Sequence, residues 1–176
     1  MKKTVNAFDY AGDICKAMKK GILVTAKCGD QINPMTIGWG SIGIEWGKQI
    51  FIAFIRPCRY THKMLEKSGE FTVNIPFGEG NSAVGKILGY CGTKSGREVD
   101  KVTELGLTLE ASDYVAAPGI KELPLTLECK VLYKQDQVVQ DIPDSLRDRY
   151  YPDRNDLTDF HTAYYAEIVN AYLISE

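Results

Sequence analysis

The sequence predicts a mainly β protein, a β-barrel with flanking helices whose strands are antiparallel. Three observations carry that prediction. Leu125, Leu127, Cys129, Val131 and Tyr133 alternate with Thr126, Glu128 and Lys130, the period of a half-buried antiparallel strand. Ile50-Phe-Ile-Ala-Phe-Ile55 is a short apolar run, fit for a strand buried on both sides. Strands also outnumber helices and lack the regular βαβ alternation of a parallel sheet. A closed or partly closed barrel removes the edges that such apolar strands would expose.

The elements follow in order along the chain. Ile22 to Lys27 is a β-prone run stopped by the Gly29-Asp30 turn signal, and Asn33 to Trp39 is a second strand. After the Ile50–Ile55 strand, Thr61 to Lys67 reads as a short helix. Thr61 is placed to cap it, Met64 and Leu65 pack inward, and Ser68-Gly69 ends it. Phe71 to Ile75 is a fourth strand, closed by Pro76. Asn81 to Tyr90 is a helix with Val84, Ile87 and Leu88 on its apolar face, and a short helix around Glu98–Leu105 stops at Gly106. Ala163 to Ile174 supplies the last strand. Asp136 to Asp159 is rich in Asp, Arg, Tyr and Pro and reads as a solvated excursion or dimer arm, with Tyr150, Tyr151 and Phe160 placed to cover a ligand pocket.

No repeat or composition break divides the 176 residues, so a single domain over 1–176 is expected. A hydrophobic fraction of 44% with 25% charged residues suits a globular protein with a proper core. Formal charge is only −2, without a dense basic stripe, which argues against nucleic acid as a partner. The five cysteines are odd in number and scattered, and with two histidines they form no zinc pattern, so no metal site is expected. No continuous apolar stretch reaches signal-peptide or membrane-span type. A reducing cytoplasm is the expected compartment, with no membrane association.

Two features point to a ligand. In Asn33-Pro-Met-Thr-Ile-Gly-Trp-Gly40, Met35, Ile37 and Trp39 alternate with Thr36, Gly38 and Gly40. One face is bulky and apolar; the other is nearly bare backbone, the mark of a bulge, a barrel corner or a close ligand approach. The second feature is a pair of cationic loops. Arg56-Pro-Cys-Arg-Tyr-Thr61 follows a buried strand and opens a helix, where free backbone N–H groups gather. Two guanidiniums and a hydroxyl add the donors a phosphate needs, although a capped helix with solvated arginines explains the same residues. Lys94-Ser-Gly-Arg97, with Asp100 and Lys101 behind it, repeats that composition at another loop-to-helix junction, or is simply a polar helix start. Two clusters beside a ring-sized bare strand suggest a ligand with a phosphate and a planar ring.

These residues resemble the flavin reductase-like family of FMN-binding split-barrel proteins, which includes flavoredoxins. The likeness runs through Gly21-Ile-Leu-Val-Thr-Ala26, Asn33 to Trp39, Arg56 to Thr61 and Glu70-Phe-Thr-Val-Asn-Ile-Pro76. It continues in Cys91 to Arg97 with Asp100-Lys101, and in His161-Thr-Ala-Tyr-Tyr-Ala-Glu-Ile168. The resemblance implies a six-stranded antiparallel Greek-key barrel forming a homodimer, with FMN near the subunit interface. It places the ring along Thr36, Ile37, Gly38 and Trp39. The phosphate falls to Arg56, Pro57, Arg59, Tyr60 and Thr61, and to Lys94, Ser95, Arg97 and Lys101. Cys58 stands where a small hydroxyl residue is expected, and is either a weaker donor or a thiol near the flavin.

In such a protein the cofactor performs the hard chemistry while the chain supplies position, charge and access. The implied activity is an oxidoreductase reduced by NADH or NADPH that passes electrons to flavin or another acceptor. The alternative is an electron-transfer protein with tightly bound FMN and a redox-protein partner. His161 is the candidate catalytic residue, since an unperturbed imidazole exchanges protons near neutral pH. His62 reads as solvated or phosphate-adjacent, and Asn74 as either satisfying the barrel backbone or reaching the flavin.

Overall fold

The computed structural model describes residues 1–78, 83–153 and 160–174. Strand β1 (Lys2–Thr4) precedes helix α1 (Ala11–Met18) and the strands β2 (Ile22–Cys28), β3 (Gln31–Ile37), β4 (Gly40–Glu45) and β5 (Lys48–Ile55). Helix α2 (Tyr60–Ser68) leads into β6 (Glu70–Ile75), followed by α3 (Ala83–Thr93), α4 (Lys101–Leu105) and the short strands β7 (Leu109–Glu110) and β8 (Gly119–Ile120). Strand β9 (Leu125–Asp136), helix α5 (Asp144–Tyr150) and strand β10 (Thr162–Ile174) complete the chain. The main sheet runs β3-β2-β6-β9-β10-β5-β4 with β1 added against β10, and β7 pairs with β8 separately. Every ladder is antiparallel. The end strands β3 and β4 adjoin in sequence, so Gly38-Trp39 joins the two edges and the sheet wraps into a barrel. The fold class is the expected one, with more strands than the six implied.

Period two explains the interior. Val24 and Ala26, Phe51, Ala53 and Ile55, Phe71, Val73 and Ile75, and Leu125, Leu127 and Cys129 all enter one buried cluster with Tyr164 and Ala166. The intervening residues of β2 and β6 face outward. There Leu23 packs with Ile87, Leu88 and Cys91 of α3 and with Leu107, Ile120 and Leu123 in a second cluster. Helix α3 is thus held to the outside of the barrel by the apolar face its sequence predicts. Its expected first residues, Asn81 and Ser82, lie outside the described residues, as do Asp156 and Asp159 of the acidic excursion.

Three local expectations change. Helix α2 begins at Tyr60 with Arg59 at its N-cap and no side-chain cap; Thr61 is wholly buried and faces inward instead. The short helix expected from Glu98 begins only at Lys101, because Asp100 caps it, accepting from the amides of Val102 (3.0 Å) and Thr103 (3.2 Å). Asn74 lies on the outward face of β6, fully buried. Its amide meets the hydroxyls of Thr25 (2.7 Å) and Thr126 (3.3 Å), so it satisfies side chains beneath the 108–120 loop rather than reaching toward the cationic loops.

Candidate functional site

The two cationic loops, separate in sequence, meet over the start of β3. Pro57 and Cys58 form a turn closed by the Arg59 amide donating to the Arg56 carbonyl at 3.0 Å. Across from it, the Arg97 Nη1 donates to the Cys58 carbonyl at 3.0 Å, and its guanidinium stands 5.5 Å from the Tyr60 ring centroid. Between the loops lies a cavity of about 270 Å³ lined by Asn33, Met35, Arg59, Thr61, Lys94, Ser95 and Lys101 among others.

Lys101 sits in its wall, only 3% exposed. Its ammonium donates to the carbonyls of Pro34 (2.9 Å) and Cys91 (3.2 Å), which occupies two of its three N–H bonds. Burial lowers its pKa, and the charge of Arg59 pushes the same way. Burial also raises the neighbouring Cys91 thiol to about 11, so that sulfur stays protonated at neutral pH. Cys58 lines the cavity too and is exposed.

Asn33 is a cavity residue that sequence reasoning missed. It shares the inward face of β3 with Met35 and Ile37 and is 3% exposed. Its Nδ2 donates to Thr61 Oγ1 at 2.8 Å, while its Oδ1 is buried without a partner and faces Gly96, where an added Cβ would lie 2.1 Å away. Half a turn of the amide keeps the Thr61 bond, with the hydroxyl then donating, and presents an NH₂ group to the cavity. The available signal was a polar residue at an inward strand position.

The bare face of β3 is bare only in part. The Thr36 hydroxyl donates to the Leu88 carbonyl at 2.7 Å, and Gly21 and Gly92 close around its side chain. Gly21 has φ +112°, and an added Cβ would stand 2.8 Å from Thr36 Cγ2. Thr36 therefore helps to seat α3, beside a cleft of about 760 Å³ between α1 and α3. Ile37 belongs to the core. Gly38 and Trp39 are exposed, and there the chain offers the open backbone expected.

Arg56 does not line the cavity. Its Nη2 donates to the Tyr150 carbonyl at 2.6 Å, and its guanidinium lies 5.3 Å from the Tyr151 ring centroid, so it holds the end of α5. This brings Tyr150 edge-on to Trp39 at 5.1 Å, and His161 lies 4.8 Å from the same indole. His161 Nδ1 is 2.8 Å from the Tyr151 hydroxyl, which donates to Gln137 Oε1 at 2.8 Å; that pattern puts the imidazole proton on Nδ1. Burial first, then the positive charges of Arg56 and Arg59, lower the His161 pKa to about 4. Its assumed suitability for proton exchange at neutral pH is therefore corrected: the ring is neutral there. His62 is also displaced from its expected place. Its Nε2 is 3.1 Å from Thr162 Oγ1 and its ring packs edge-on against Tyr164, outside the cationic cavity.

Among the described residues no His, Cys, Asp and Glu group is arranged to hold a metal ion, and no helix is long and apolar enough to cross a membrane. Comparison with known proteins matches the model of the flavin reductase like domain to residues 19–176. An uncharacterized protein of Archaeoglobus fulgidus is 37% identical over 100 residues, 57% of this chain; the match spans about half, 54%, of that curated relative. Flavoredoxin of Desulfovibrio vulgaris superposes with a TM-score of 0.66 at 24% identity, over 88% of this chain and 69% of that one. An FMN-binding domain of a flavin reductases-like enzyme from Shewanella baltica gives 0.65 at 18% identity, over 98% and 77%. At these identities the two structural likenesses are of fold.

Proposed function

The chain belongs to the flavin reductase-like family, and from that premise we propose that it is a flavoprotein oxidoreductase that holds FMN by its phosphate between the two cationic loops. One observation carries the reading: Arg59, Thr61, Lys94, Ser95 and the buried Lys101 all line one cavity. A phosphate is the anion such donors suit, because ionised partners make the shorter and stronger hydrogen bonds. Lys101 brings a charge already oriented by two carbonyls, so little order is lost on binding. The Shewanella baltica neighbour is described as FMN-binding, which agrees with this assignment.

When bound, FMN supplies reversible hydride and single-electron transfer. The chain supplies the rest. The cavity is smaller than the roughly 300–1,000 Å³ of ordinary ligand pockets, so it takes the phosphate end, and the ring extends toward the open backbone at Gly38 and Trp39. A neutral His161 beside Trp39, held at Nδ1 by the Tyr151 hydroxyl, orders that edge of the site without carrying charge and leaves Nε2 as an acceptor.

The ring needs a second wall, and a homodimer provides it in this reading. The outer face of the sheet supports that association: Trp46 is 55% exposed and lies against Tyr133 and Tyr165, an aromatic patch of the kind enriched at interfaces. NADH or NADPH is the proposed electron donor, with flavin or another small molecule as acceptor. Five free cysteines suit the reducing cytoplasm.

Titration of the purified protein with FMN and riboflavin, followed by anaerobic addition of NADH or NADPH, tests the assignment. FMN binding well above riboflavin, with bleaching by a nicotinamide nucleotide, is the expected result. Equal affinity for both flavins overturns the phosphate site. Bleaching only by a reduced protein transfers the chain to the electron-carrier class.

A further inference from the structure

Gln137 stands one step beyond the β9–β10 pair Asp136 and Thr162, and its backbone amide donates to the His161 carbonyl at 3.0 Å. The two residues therefore face each other across the end of the ladder, where cross-strand partners share a face. Tyr151, at the end of α5, puts its hydroxyl between them, 2.8 Å from Gln137 Oε1 and 2.8 Å from His161 Nδ1. Tyr151 and His161 are both buried. The tyrosine ring is held with the Arg56 guanidinium 5.3 Å from its centroid and the imidazole edge-on at 5.6 Å. We propose that Gln137 is a positioning residue: acting through Tyr151, it fixes the His161 proton on Nδ1 and leaves a lone pair at Nε2, on the ring beside Trp39.

The polarity of the hydrogen bonds carries the inference. A tyrosine hydroxyl has a single proton. Given to Gln137 Oε1, that proton is not offered to His161, and the hydroxyl oxygen accepts from Nδ1–H instead. An NH₂ group at the same place would reverse the line: the hydroxyl would donate to Nδ1, and the imidazole proton would sit on Nε2. Gln137 therefore decides a property of His161 while acting through Tyr151. The choice matters because burial and the charges of Arg56 and Arg59 keep the imidazole neutral, with one proton for two nitrogens. An acceptor at Nε2 suits a substrate group that brings an N–H or O–H to the Trp39 edge, and repels one that presents only oxygen lone pairs. This consequence for substrate rests on the flavin reading above, whereas the placement of the proton does not.

Nitrogen NMR of the imidazole rings tests the proposal, because protonated and bare ring nitrogens resonate in separate ranges. The full chain has only two histidines, so the His62 signals serve as an internal control of the fold. Near neutral pH the natural chain is expected to favour the Nδ1–H form of His161 by about tenfold, the worth of one satisfied hydrogen bond. Gln137→Glu, which can only accept, keeps that form. Gln137→Leu, which can do neither, brings the two forms to comparable populations. Gln137→Lys, which can only donate, moves the proton to Nε2. Should the lysine prevent folding, as shifted His62 signals would reveal, the contrast between the leucine and glutamate variants decides. An Nε2–H ring in the natural chain overturns the proposal, and so does an Nδ1–H ring undiminished in Gln137→Leu. A chain with the expected proton placement that binds no FMN overturns the flavin reading, and with it the consequence for substrate, but not the role of Gln137.

Discussion

His161 makes stability depend on pH in a calculable way. In the folded chain its pKa is about 4, against 6.5 for an unperturbed imidazole, chiefly because the ring is buried and then because Arg56 and Arg59 repel its charged form. Between those values the unfolded chain binds a proton that the folded chain refuses. The neutral ring therefore contributes its full share above pH 6.5, and that share is lost as pH falls toward 4. The whole window corresponds to about 3 kcal/mol; allowing for partial access of solvent to the ring, roughly 2 kcal/mol is a fair expectation. Urea unfolding of the natural chain and of His161→Phe, at pH 7.5 and pH 4.5, isolates the effect. With a urea slope of about 1–3 kcal/mol/M, the natural chain is expected to lose about 1 M more in its midpoint than the variant across that interval. Every other group is common to the two proteins, so its contribution cancels in the comparison. His161→Phe loses the Tyr151 bond and starts less stable, but its pH dependence should be shallower. Equal falls in both proteins refute the burial-driven shift.

Three other outcomes are expected. Lys101→Met removes a charged donor worth about 1.5–3 kcal/mol, which is a loss of roughly 10–100-fold in FMN affinity with riboflavin within about twofold; equal losses in a titration of both ligands contradict the phosphate contact. Gly96→Ala places a Cβ 2.1 Å from Asn33 Oδ1 and 3.1 Å from Tyr60 Cδ1, so thermal unfolding should reveal about 1–3 kcal/mol of overpacking cost; an unchanged melting temperature and FMN affinity would show that the loop simply moves aside. Glu128 is fully buried, and its carboxylate accepts from the amides of Asp113 (3.0 Å) and Tyr114 (2.6 Å) and from Asn170 Nδ2 (3.0 Å). Glu128→Ala should therefore accelerate hydrogen exchange at residues 113 and 114 by more than tenfold, because those amides lose the carboxylate that accepts from them; unchanged exchange there would remove Glu128 as the anchor of the loop.

Legibility followed local pattern. Strands β2, β5, β6, β9 and β10 were readable because period-two alternation or an apolar run states which face is buried. Strand β4 was not, since Gly40 and Gly43 carry no side chain to declare a face. Helix α1 was passed over because only Ile14 and Met18 of its eight residues are buried, too few to set a period. Helix α5 lies in a polar stretch and is docked by Arg56 and by the Tyr150 edge on Trp39, contacts between segments roughly a hundred residues apart.

Within the site, the residue types that hold an anion were visible as two loops rich in donors. Local sequence states what a segment can offer, because hydrophobic period, turn residues and side-chain donors are properties of neighbours along the chain. It does not state which offers coincide. Folding alone set Lys101 against the Pro34 carbonyl and Asn33 against Thr61, engaged Arg56 with the Tyr150 carbonyl, and closed α3 over Thr36. Those pairings depend on how the barrel closes, as does the low-dielectric setting that keeps His161 neutral. Burial and long-range contact are properties of the assembled sheet and not of any stretch within it.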